Sequence, residues 1–365
     1  MSMLFVINPG ATSTKVALFE DEKTLYKETI DHNANDLAGF NRIYEQRVYR
    51  GNLLRDWLSD NKVKISDLDA IVSRGGLLKP IVGGTYRINE LMIADLEKAE
   101  HGEHASNLGA ALAWDLGAEY GLPLFIVDPV SVDEYIPEAR ISGLKDIPRI
   151  SLAHTLNCRA VAIQVAAEMG RPYKDLRLIV AHLGTGISIT VHSGGRLIDS
   201  NNPYEAGPMC PDRAGTLPNR GLVHLAFSGK YDEYGLIKKI HREGGLYDHL
   251  GTKDLREAER MVADGNEYAA LVLRAMVYQI AKEIGAMSTV LQGGVDAVII
   301  AGGMAYSEWL QTELSKRISF IAPVIIKPGE KEMEALAEGA LRVLNGQEEA
   351  REYQEDLIGG KNTAA

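Results

Sequence analysis

Two stretches of this sequence repeat one pattern, and that repeat constrains the fold more than any other feature. Residues 4–22 read LFVINPGATSTKVALFEDE, and residues 178–199 read LIVAHLGTGISITVHSGGRLID. In each stretch an apolar run ends in a polar residue, Asn8 or His182, and a glycine with small hydroxylic residues precedes a second strand-like run. Alternation with a period of two and turn-forming residues predict a β-hairpin in both places. The chain is therefore predicted to contain two similar halves.

The patterns that follow each hairpin alternate between buried strands and helices. Apolar strand patterns begin near residues 69 and 122 in the first half, and near residues 295 and 322 in the second. This alternation predicts α/β layers around largely parallel central strands. The predicted helices span residues 93–100, 107–120, 154–168, 254–264, 267–291 and 330–344.

Length and charge limit the functions that two such halves can serve. A chain of 365 residues is long for one core and natural for two domains. The net charge of -11 argues against nucleic acid or an anionic membrane as the main partner, because both favour a basic surface. The two cysteines, Cys158 and Cys210, suit a reducing compartment, and we find neither a signal-peptide pattern nor an apolar run long enough to span a membrane. A cytoplasmic protein is expected.

The glycine-containing tip of each hairpin is a candidate anion site. Such turns aim successive backbone N–H groups into a concavity, and hydroxyl groups add further donors. Taken alone, either tip could be an ordinary tight turn. Two tips at equivalent positions of a repeat favour instead the binding of a polyphosphate by both halves.

Six motifs resemble those of the butyrate kinases, which belong to the acetate kinase group of the actin/sugar-kinase/Hsp70 superfamily. They are NPGATSTK, SRGGLLKPIVGGTY, GEHASNLGA, PDRAGTLP, YQIAKEIGA and IAGGMAYS, and the resemblance runs from about residue 4 to residue 344. It implies a duplicated actin-like (ribonuclease H-like) α/β fold of two domains with a nucleotide cleft between them. The implied domains are residues 1–149 and 150–345, with a last helix able to pack back on the first domain, followed by a polar tail at 346–365.

The resemblance also implies the reaction. It is the reversible transfer of the ATP γ-phosphoryl group to the carboxylate of a short-chain fatty acid, butyrate or a branched acid of four or five carbons, giving acyl phosphate and ADP with Mg²⁺ as cofactor. A carboxylate acceptor is already ionised at neutral pH and needs no strong base. Phosphoryl transfer depends instead on positioning and on charge stabilisation. The site is therefore expected to supply cations, a metal and neutral donors.

Four catalytic residues follow from the matched motifs. The family's arginines at Arg74 and Arg213 hold the substrate carboxylate and the transferring phosphoryl group, both of which match a planar guanidinium. His154 corresponds to a donor to an equatorial phosphoryl oxygen, and Asp128 to a carboxylate that orients the acceptor or a metal-bound water. Without the motifs, surface arginines and a histidine at a helix start would be the ordinary interpretation.

Substrate and metal residues are implied in the same way. His104 matches a second active-site histidine. Gly76 and Ala153 stand where acetate kinases carry larger residues, so a larger acyl pocket is predicted if both line it. Glu332, together with Asn8, matches the magnesium-associated position, and the neighbouring Glu330 is a rival for that role.

The remaining implied residues bind the nucleotide, and two other functions stay open. One alternative is an acetate or propionate kinase, and the other is an actin-like or Hsp70-like nucleotide switch, which expects no paired arginines. A homodimer or higher homo-oligomer is expected. The nucleotide-binding residues are Asn8, Gly10, Thr12, Ser13 and Lys15 of the first tip, His182, Gly184, Thr185 and Gly186 of the second, and Asp254, Arg256, Gly302 and Gly303 for the ribose and adenine.

Overall fold

A computed structural model describes residues 1–355 of the chain. The strands are β1 (Met3–Pro9), β2 (Ser13–Glu20), β3 (Lys23–Asp31), β4 (Ala70–Arg74), β5 (Thr85–Arg87), β6 (Leu124–Val127), β7 (Leu178–Leu183), β8 (Ile187–Ser193), β9 (Arg196–Ser200), β10 (Ala297–Gly302), β11 (Val324–Pro328) and β12 (Arg351–Glu352). The α-helices are α1 (Ala34–Leu37), α2 (Arg47–Asp60), α3 (Glu90–Lys98), α4 (Leu108–Gly117), α5 (Pro137–Arg140), α6 (Thr155–Glu168), α7 (Asn219–Ala226), α8 (Glu233–His241), α9 (Gly245–Leu250), α10 (Leu255–Ala263), α11 (Glu267–Val290), α12 (Glu308–Ile318) and α13 (Glu332–Leu344).

The first compact unit comprises, among the described residues, Met1–Asp133 and residues 331–355. Its mixed sheet has the strand order β12-β5-β6-β4-β1-β2-β3. Alternate residues of β4 face opposite sides of that sheet. Ile71 and Ser73 lie so close to α4 that a Cβ at Gly117 or Gly109 would collide with them, whereas Arg74 reaches Glu332 on α13. The first unit thus covers its sheet with helices on both faces.

The second compact unit comprises Glu134–Glu330 and is built around the sheet β11-β10-β7-β8-β9. Its larger apolar core joins β7, β8 and β10 to the long helix α11, and a smaller core lies between α6 and the strands β7 and β10. The central strand β7 has no exposed residue. A strand that is buried on both faces is typical of a sheet covered by helices on both sides.

Matching strand orders in the two units confirm the predicted duplication. In the sheet of the first unit, the antiparallel strands β3, β2 and β1 are followed by β4 and β6, which run parallel to β1. The sheet of the second unit has the same order and directions, with the antiparallel strands β9, β8 and β7 followed by β10 and β11, which run parallel to β7. Both hairpins even carry a register shift at equivalent places, between Leu18 and Phe19 and between Val191 and His192. The two halves are therefore structural repeats.

The boundary between the units differs from the predicted one. The first unit ends at Asp133, before the predicted boundary at residue 149. The reason is that the segment 134–149 is bound to β9: Tyr135 Oη donates to the carbonyl of Ser200 at 2.9 Å, and Arg149 Nη2 lies 2.8 Å from Asp199 Oδ1. Helix α13 belongs to the first unit.

The first part of the predicted polar tail is ordered against the sheet. Residues 351–352 form β12, which pairs in parallel with β5. Tyr353 is buried at 1% exposure, and its hydroxyl donates to Asp95 Oδ2 at 2.8 Å. A single aromatic anchor and two strand residues thus fix this segment to the sheet. Residues 356–365, the rest of the predicted tail, lie outside the described residues.

Among residues 1–355, no helix is both long and apolar enough to cross a membrane.

A buried histidine in β8 makes the fold sensitive to acid. His192 is fully buried between the Tyr173 hydroxyl and the Thr190 hydroxyl, and burial, aided by the charge of Arg159, lowers its pKa to about 3. An unfolded histidine titrates near pH ~6.5, so the unfolded chain binds the proton more readily. This stabilisation is complete above that pH and is lost as pH falls toward 3.

We therefore expect the free energy of unfolding to decrease on acidification below about pH 6.5, by on the order of 2 to 3 kcal/mol from His192 alone near pH ~4.5. Urea titrations at a series of pH values measure this. His192→Gln should flatten that slope, and the exposed His224→Gln should leave it unchanged. Equal slopes in wild type and His192→Gln would contradict the assignment.

Candidate active site

A cluster of charged and polar groups in the first unit converges on Glu332. Arg74 Nη1 lies 3.0 Å from Glu332 Oε1, Asn8 Nδ2 donates to Oε2 at 2.8 Å, and Lys15 Nζ lies 4.0 Å from Oε2. Glu332 is the first residue of α13, where unpaired N–H groups and the helix dipole favour a carboxylate. We call these four residues, Asn8, Lys15, Arg74 and Glu332, the first cluster.

The sheet register explains why these residues meet. Asn8 pairs with Lys15 across the β1–β2 hairpin, and Ile7 pairs with Ser73, so the carboxyl ends of β1 and β4 lie side by side. The carboxyl ends of adjacent parallel strands are the usual place for ligands in open α/β sheets. Sequence reasoning named every member of this cluster but had no means of showing that Glu332 joins them.

The two rival glutamates separate into different units. Glu332 lies in the first unit, whereas Glu330 is the last residue of the second unit and places Oε1 3.3 Å from His182 Nε2. The structure therefore gives them different partners, which the sequence alone left open.

The first tip is held from inside the protein by a residue that sequence reasoning missed. Gly10 N donates to the Ser13 carbonyl at 2.8 Å and closes the turn. Arg50, which is fully buried in α2, donates to the carbonyls of Gly10 and Ala11. No sequence signal singled out Arg50, because its acceptors come from a distant turn.

Asp128 sits in a strained conformation at the end of β6. Its φ of 38° lies in the left-handed region that non-glycine residues seldom adopt. The carboxylate is 3% exposed, and Oδ1 accepts a hydrogen bond from the Gly84 N–H at 2.7 Å, so this oxygen is committed to holding the Gly84 loop. Strain of this kind concentrates at functional sites.

Gly76 is explained by packing rather than by an open pocket. A Cβ at this position would lie 2.5 Å from Asn107 Oδ1 and 2.8 Å from a methyl carbon of Leu96. The neighbouring Leu77 N–H donates to Asn107 Oδ1 at 2.9 Å. The missing side chain therefore accommodates Asn107 and Leu96, and the larger acyl pocket stays a prediction. Ala153 is buried.

His104 caps the short 3₁₀ helix Ala105–Asn107. Its Nδ1 accepts from the Ser106 N–H and lies 2.8 Å from Ser106 Oγ. Desolvation by the surrounding chain, and to a lesser extent the charge of Arg74, lower its pKa. A neutral imidazole near Arg74 can still donate or accept a hydrogen bond.

A second cluster lies in the second unit at the equivalent end of β7. The rings of His154 and His182 stack with their centroids 4.4 Å apart, and His154 Nδ1 lies 2.8 Å from Ser188 Oγ. His182 is 1% exposed, yet within residues 1–355 neither ring nitrogen has a partner with hydrogen-bond geometry. Unsatisfied buried donors and acceptors are rare in proteins, and a catalytic role is one of their recognised explanations. The second cluster is His154, His182, Arg213 and Glu330.

Arg213 lies flat against the second tip. Its Cζ is 4.2 Å from the centroid of the Tyr204 ring, and a Cβ at Gly186 would fall 2.5 Å from Nη1. Glycine at 186 is thus required for the guanidinium to approach the tip. Nε has no hydrogen-bond partner among the described residues, although Asp212 Oδ1 lies 3.7 Å away. Among the described residues the one side-chain hydrogen bond of Arg213 runs from Nη1 to the Pro203 carbonyl at 3.5 Å, so Nη2 keeps its donors for an anion.

A cavity of about 1120 Å³ opens beside the second tip, within the second unit. Gly302, with φ of 89°, ends β10 so close to β7 that a Cβ would lie 2.4 Å from the Leu183 carbonyl. The cavity unites residues from segments that are distant in sequence. Its lining includes the predicted residues Gly184, Thr185, Asp254, Arg256 and Gly303, and also Thr252, Glu259, Tyr306, Ser307 and Glu330, which sequence reasoning had not assigned to the nucleotide.

Asp254 and Arg256 line this cavity but bind each other. Arg256 Nη2 lies 2.7 Å from Asp254 Oδ2, and this hydrogen bond holds the pKa of Asp254 at about 2. Asp254 also caps α10 by accepting from the Arg256 N–H. Because Arg256 is highly exposed, its pairing with Asp254 leaves the side chain free to move.

Glu332 and Asn8 carry oxygens of the kind that bind Mg²⁺, although in the structure both Glu332 oxygens contact Arg74, Asn8 or Lys15. Among residues 1–355 no group of three His, Cys, Asp or Glu side chains could hold a metal. Mg²⁺ in phosphoryl-transfer sites takes one or two protein oxygens and completes its shell with phosphate and water. Glu332 and the side-chain amide of Asn8, which are in contact, supply a carboxylate and an amide oxygen of this kind.

Comparison with solved structures identifies the class of fold. The acetate kinase of Porphyromonas gingivalis superposes with a TM-score of 0.80 at 20% identity, covering 94% of this chain and 100% of that chain. A propionate kinase from Francisella tularensis gives a TM-score of 0.73 at 18% identity over 93% and 99% of the two chains. The chain therefore has the duplicated actin-like fold of acetate kinases, as predicted.

Sequence comparison gives the family. A model described as the acetokinase family matches residues 149–316. Butyrate kinase 2 of Clostridium acetobutylicum is 47% identical over 96% of this chain and 99% of its own length, and butyrate kinase 1 of the same organism is 46% identical over 97% and 100%. The chain belongs to the butyrate kinases.

Proposed function

We propose that the chain catalyses reversible phosphoryl transfer between ATP and a short-chain fatty acid, with butyrate or a branched acid of four or five carbons as acceptor. A carboxylate oxygen attacks the γ-phosphorus, the bond from that phosphorus to the oxygen of ADP breaks, and acyl phosphate and ADP are the products. The observation that carries this proposal is the position of Arg213, whose guanidinium lies against a glycine of the second tip while Nη2 donates to no described residue.

The first cluster is assigned to the acceptor side of this reaction. Arg74 offers a planar, permanently charged fork that matches a carboxylate or a phosphoryl group. In the structure one of its arms is bound by Glu332, which fixes the side chain at the end of β4. Lys15 and Asn8 add a charge and a neutral donor at the same place. Together they reduce the repulsion between an anionic acceptor and an anionic donor.

The second cluster is assigned to the phosphates of ATP. Stacking on His182 and the contact with Ser188 fix the ring of His154, which is proposed to lie beside the transferring phosphoryl group. Arg213 supplies positive charge for the oxygens of the transferring group. Asp128, in the other unit, holds a loop through Gly84, and we propose that it orients the acceptor side indirectly.

Mg²⁺ is proposed as the metal, held through Glu332 and Asn8. When bound, Mg²⁺ neutralises phosphate charge and orients the phosphates. The adenosine is proposed to occupy the cavity lined by Asp254 and Tyr306. The cytoplasmic location and the homo-oligomeric state stay predictions.

Formation of acyl hydroxamate tests the proposed acceptor. The chain is incubated with ATP, Mg²⁺ and hydroxylamine and with acetate, propionate, butyrate, isobutyrate or isovalerate in turn. We expect kcat/KM to be highest for a four- or five-carbon acid and at least about tenfold lower for acetate, since two buried methylenes contribute roughly 1.6 kcal/mol. A maximum at acetate would support the acetate kinase alternative, and no hydroxamate with any acid would overturn the proposal.

A further inference from the structure

Arg50 is a buried cation without an acidic partner. It lies in α2 at 1% exposure, and no ion pair joins it to any carboxylate within residues 1–355. Burial lowers its pKa to about 10, so the guanidinium remains charged at neutral pH. Burying an arginine in this way is unfavourable unless neutral acceptors satisfy it.

The acceptors that satisfy Arg50 come mainly from the first tip. Nη1 donates to the Gly10 carbonyl at 2.8 Å and to the Ser13 carbonyl at 3.2 Å, and Nη2 donates to the Ala11 carbonyl at 3.1 Å. Gln46 Oε1 accepts hydrogen bonds from Arg50 Nε at 3.0 Å and from Nη2 at 2.7 Å, which fixes the plane of the guanidinium. One side chain thus holds three carbonyls of a four-residue turn.

The remaining carbonyl of the tip is also bound from inside, because Thr12 O accepts from the His32 N–H at 2.9 Å. The C=O and N–H of a planar trans peptide point in opposite directions. Holding the carbonyls of Gly10 and Ala11 inward therefore directs the N–H groups of Ala11 and Thr12 outward. Neither of these N–H groups donates to any described residue, and both residues are exposed.

His32 does not share the charge. Its Nε2 lies 2.8 Å from Thr14 Oγ1, which also accepts from Arg50 Nη1 at 3.1 Å. Burial, with the charge of Arg50 adding to it, lowers the pKa of His32 to about 4, so this ring is neutral near pH 7. Arg50 is the group behind the tip that carries a positive charge.

We infer that Arg50 is a positioning residue for an anion site at the first tip: it binds the tip carbonyls from behind, turns the Ala11 and Thr12 N–H groups toward a phosphoryl oxygen, and adds a fixed positive charge. This inference rests on the proposed function for the identity of the anion, a phosphoryl group of ATP or acyl phosphate. Lysine cannot replace the planar fork that spans three carbonyls.

Chemical rescue separates this role from a merely structural one. Arg50→Ala is expected to lower kcat/KM for ATP about a hundredfold, and guanidinium chloride at 10 to 50 mM should restore activity at least about tenfold, whereas NaCl at equal concentration should not. Arg50→Lys should stay well below wild type. The matched control is Arg55→Ala, which removes an exposed arginine of the same helix that binds the Asp115 carbonyl.

Two results would overturn the inference. One is an Arg50→Ala variant that is folded by circular dichroism and keeps kcat and KM within about threefold of wild type. The other is a loss of activity that guanidinium does not reverse at a temperature where the variant is folded. If wild type makes no acyl phosphate, the proposed function fails instead. The role of Arg50 at the anion site is then tested by calorimetry with pyrophosphate. At least tenfold weaker binding of pyrophosphate by Arg50→Ala supports the inference, and binding equal to that of wild type contradicts it.

Discussion

Replacement of Arg213 by alanine is expected to lower kcat for acyl phosphate formation about a thousandfold while changing KM for the acid by less than about tenfold. The reason is that its guanidinium lies against Gly186 of the second tip, with Nη2 donating to no described residue, and so can stabilise charge that develops during transfer. Stacking of Arg213 on Tyr204 fixes the fork before substrate arrives. Arg213→Lys keeps the charge but loses the planar, stacked geometry, and we expect a loss of at least about thirtyfold.

Steady-state kinetics of purified variants, with circular dichroism as a check on folding, measure this effect. Arg220→Ala is the matched control, since Arg220 is an exposed arginine in the following helix, α7. Its kcat should equal that of wild type. An Arg213→Ala enzyme with kcat within about fivefold of wild type would show that Arg213 does not contact the transferring group.

Replacement of Glu332 by glutamine is expected to lower kcat/KM about a hundredfold and to raise the Mg²⁺ concentration needed for half-maximal activity. Glutamine keeps the size of the side chain but removes the charge that holds Arg74 and Lys15 and that is proposed to interact with Mg²⁺. Removing one member of a partly buried charged cluster leaves the others uncompensated. Arg74 would then lose the fixed orientation at the end of β4.

Two neighbouring glutamates provide controls for this experiment. Glu334 lies on the same helix and pairs with Lys27 at the surface, so Glu334→Gln should leave activity and Mg²⁺ dependence unchanged. Glu330→Gln removes the carboxylate beside His182 instead. If Glu330→Gln alone shifts the Mg²⁺ dependence and Glu332→Gln does not, the metal is assigned to the wrong glutamate.

The repeat made the topology predictable from sequence. Local patterns, namely strand alternation and a glycine-containing turn, predict each hairpin. A repeated hairpin predicts that the strands and helices around it are repeated too. The strong helical patterns at 154–168 and 267–291 correspond to α6 and α11 within one residue at either end. The matched strand orders confirm that reasoning.

Helix α2 was missed because it breaks the pattern on which such predictions rest. Its sequence RVYRGNLLRDWLSD carries a buried arginine where a core-facing position normally has an apolar residue. Arg50 can be buried because the backbone of the first tip supplies its acceptors, and that contact spans about forty positions of sequence. A long-range contact of this kind has no signal in a single sequence.

In the candidate site, too, local sequence patterns predicted individual residues, whereas contacts between distant residues could not be predicted. Asn8 and His182 were predicted from the repeated hairpin pattern, and Arg74 from its motif's resemblance to the butyrate kinases. Their partners depend on packing: Glu332 is brought to Arg74 by α13, and Gly76 is a glycine because Asn107 lies against it. Residue identity could therefore be predicted, whereas the interactions required the structure.

Transfer of phosphate from ATP to a short-chain carboxylate by this chain can be observed by ³¹P nuclear magnetic resonance of a reaction containing ATP, Mg²⁺ and butyrate. We expect butyryl phosphate to appear in equal amount with ADP, and both to be absent when butyrate is left out. ADP accompanied by inorganic phosphate, formed at the same rate with and without butyrate and with no acyl phosphate signal even at short times, would contradict this expectation and favour a nucleotide-switch protein.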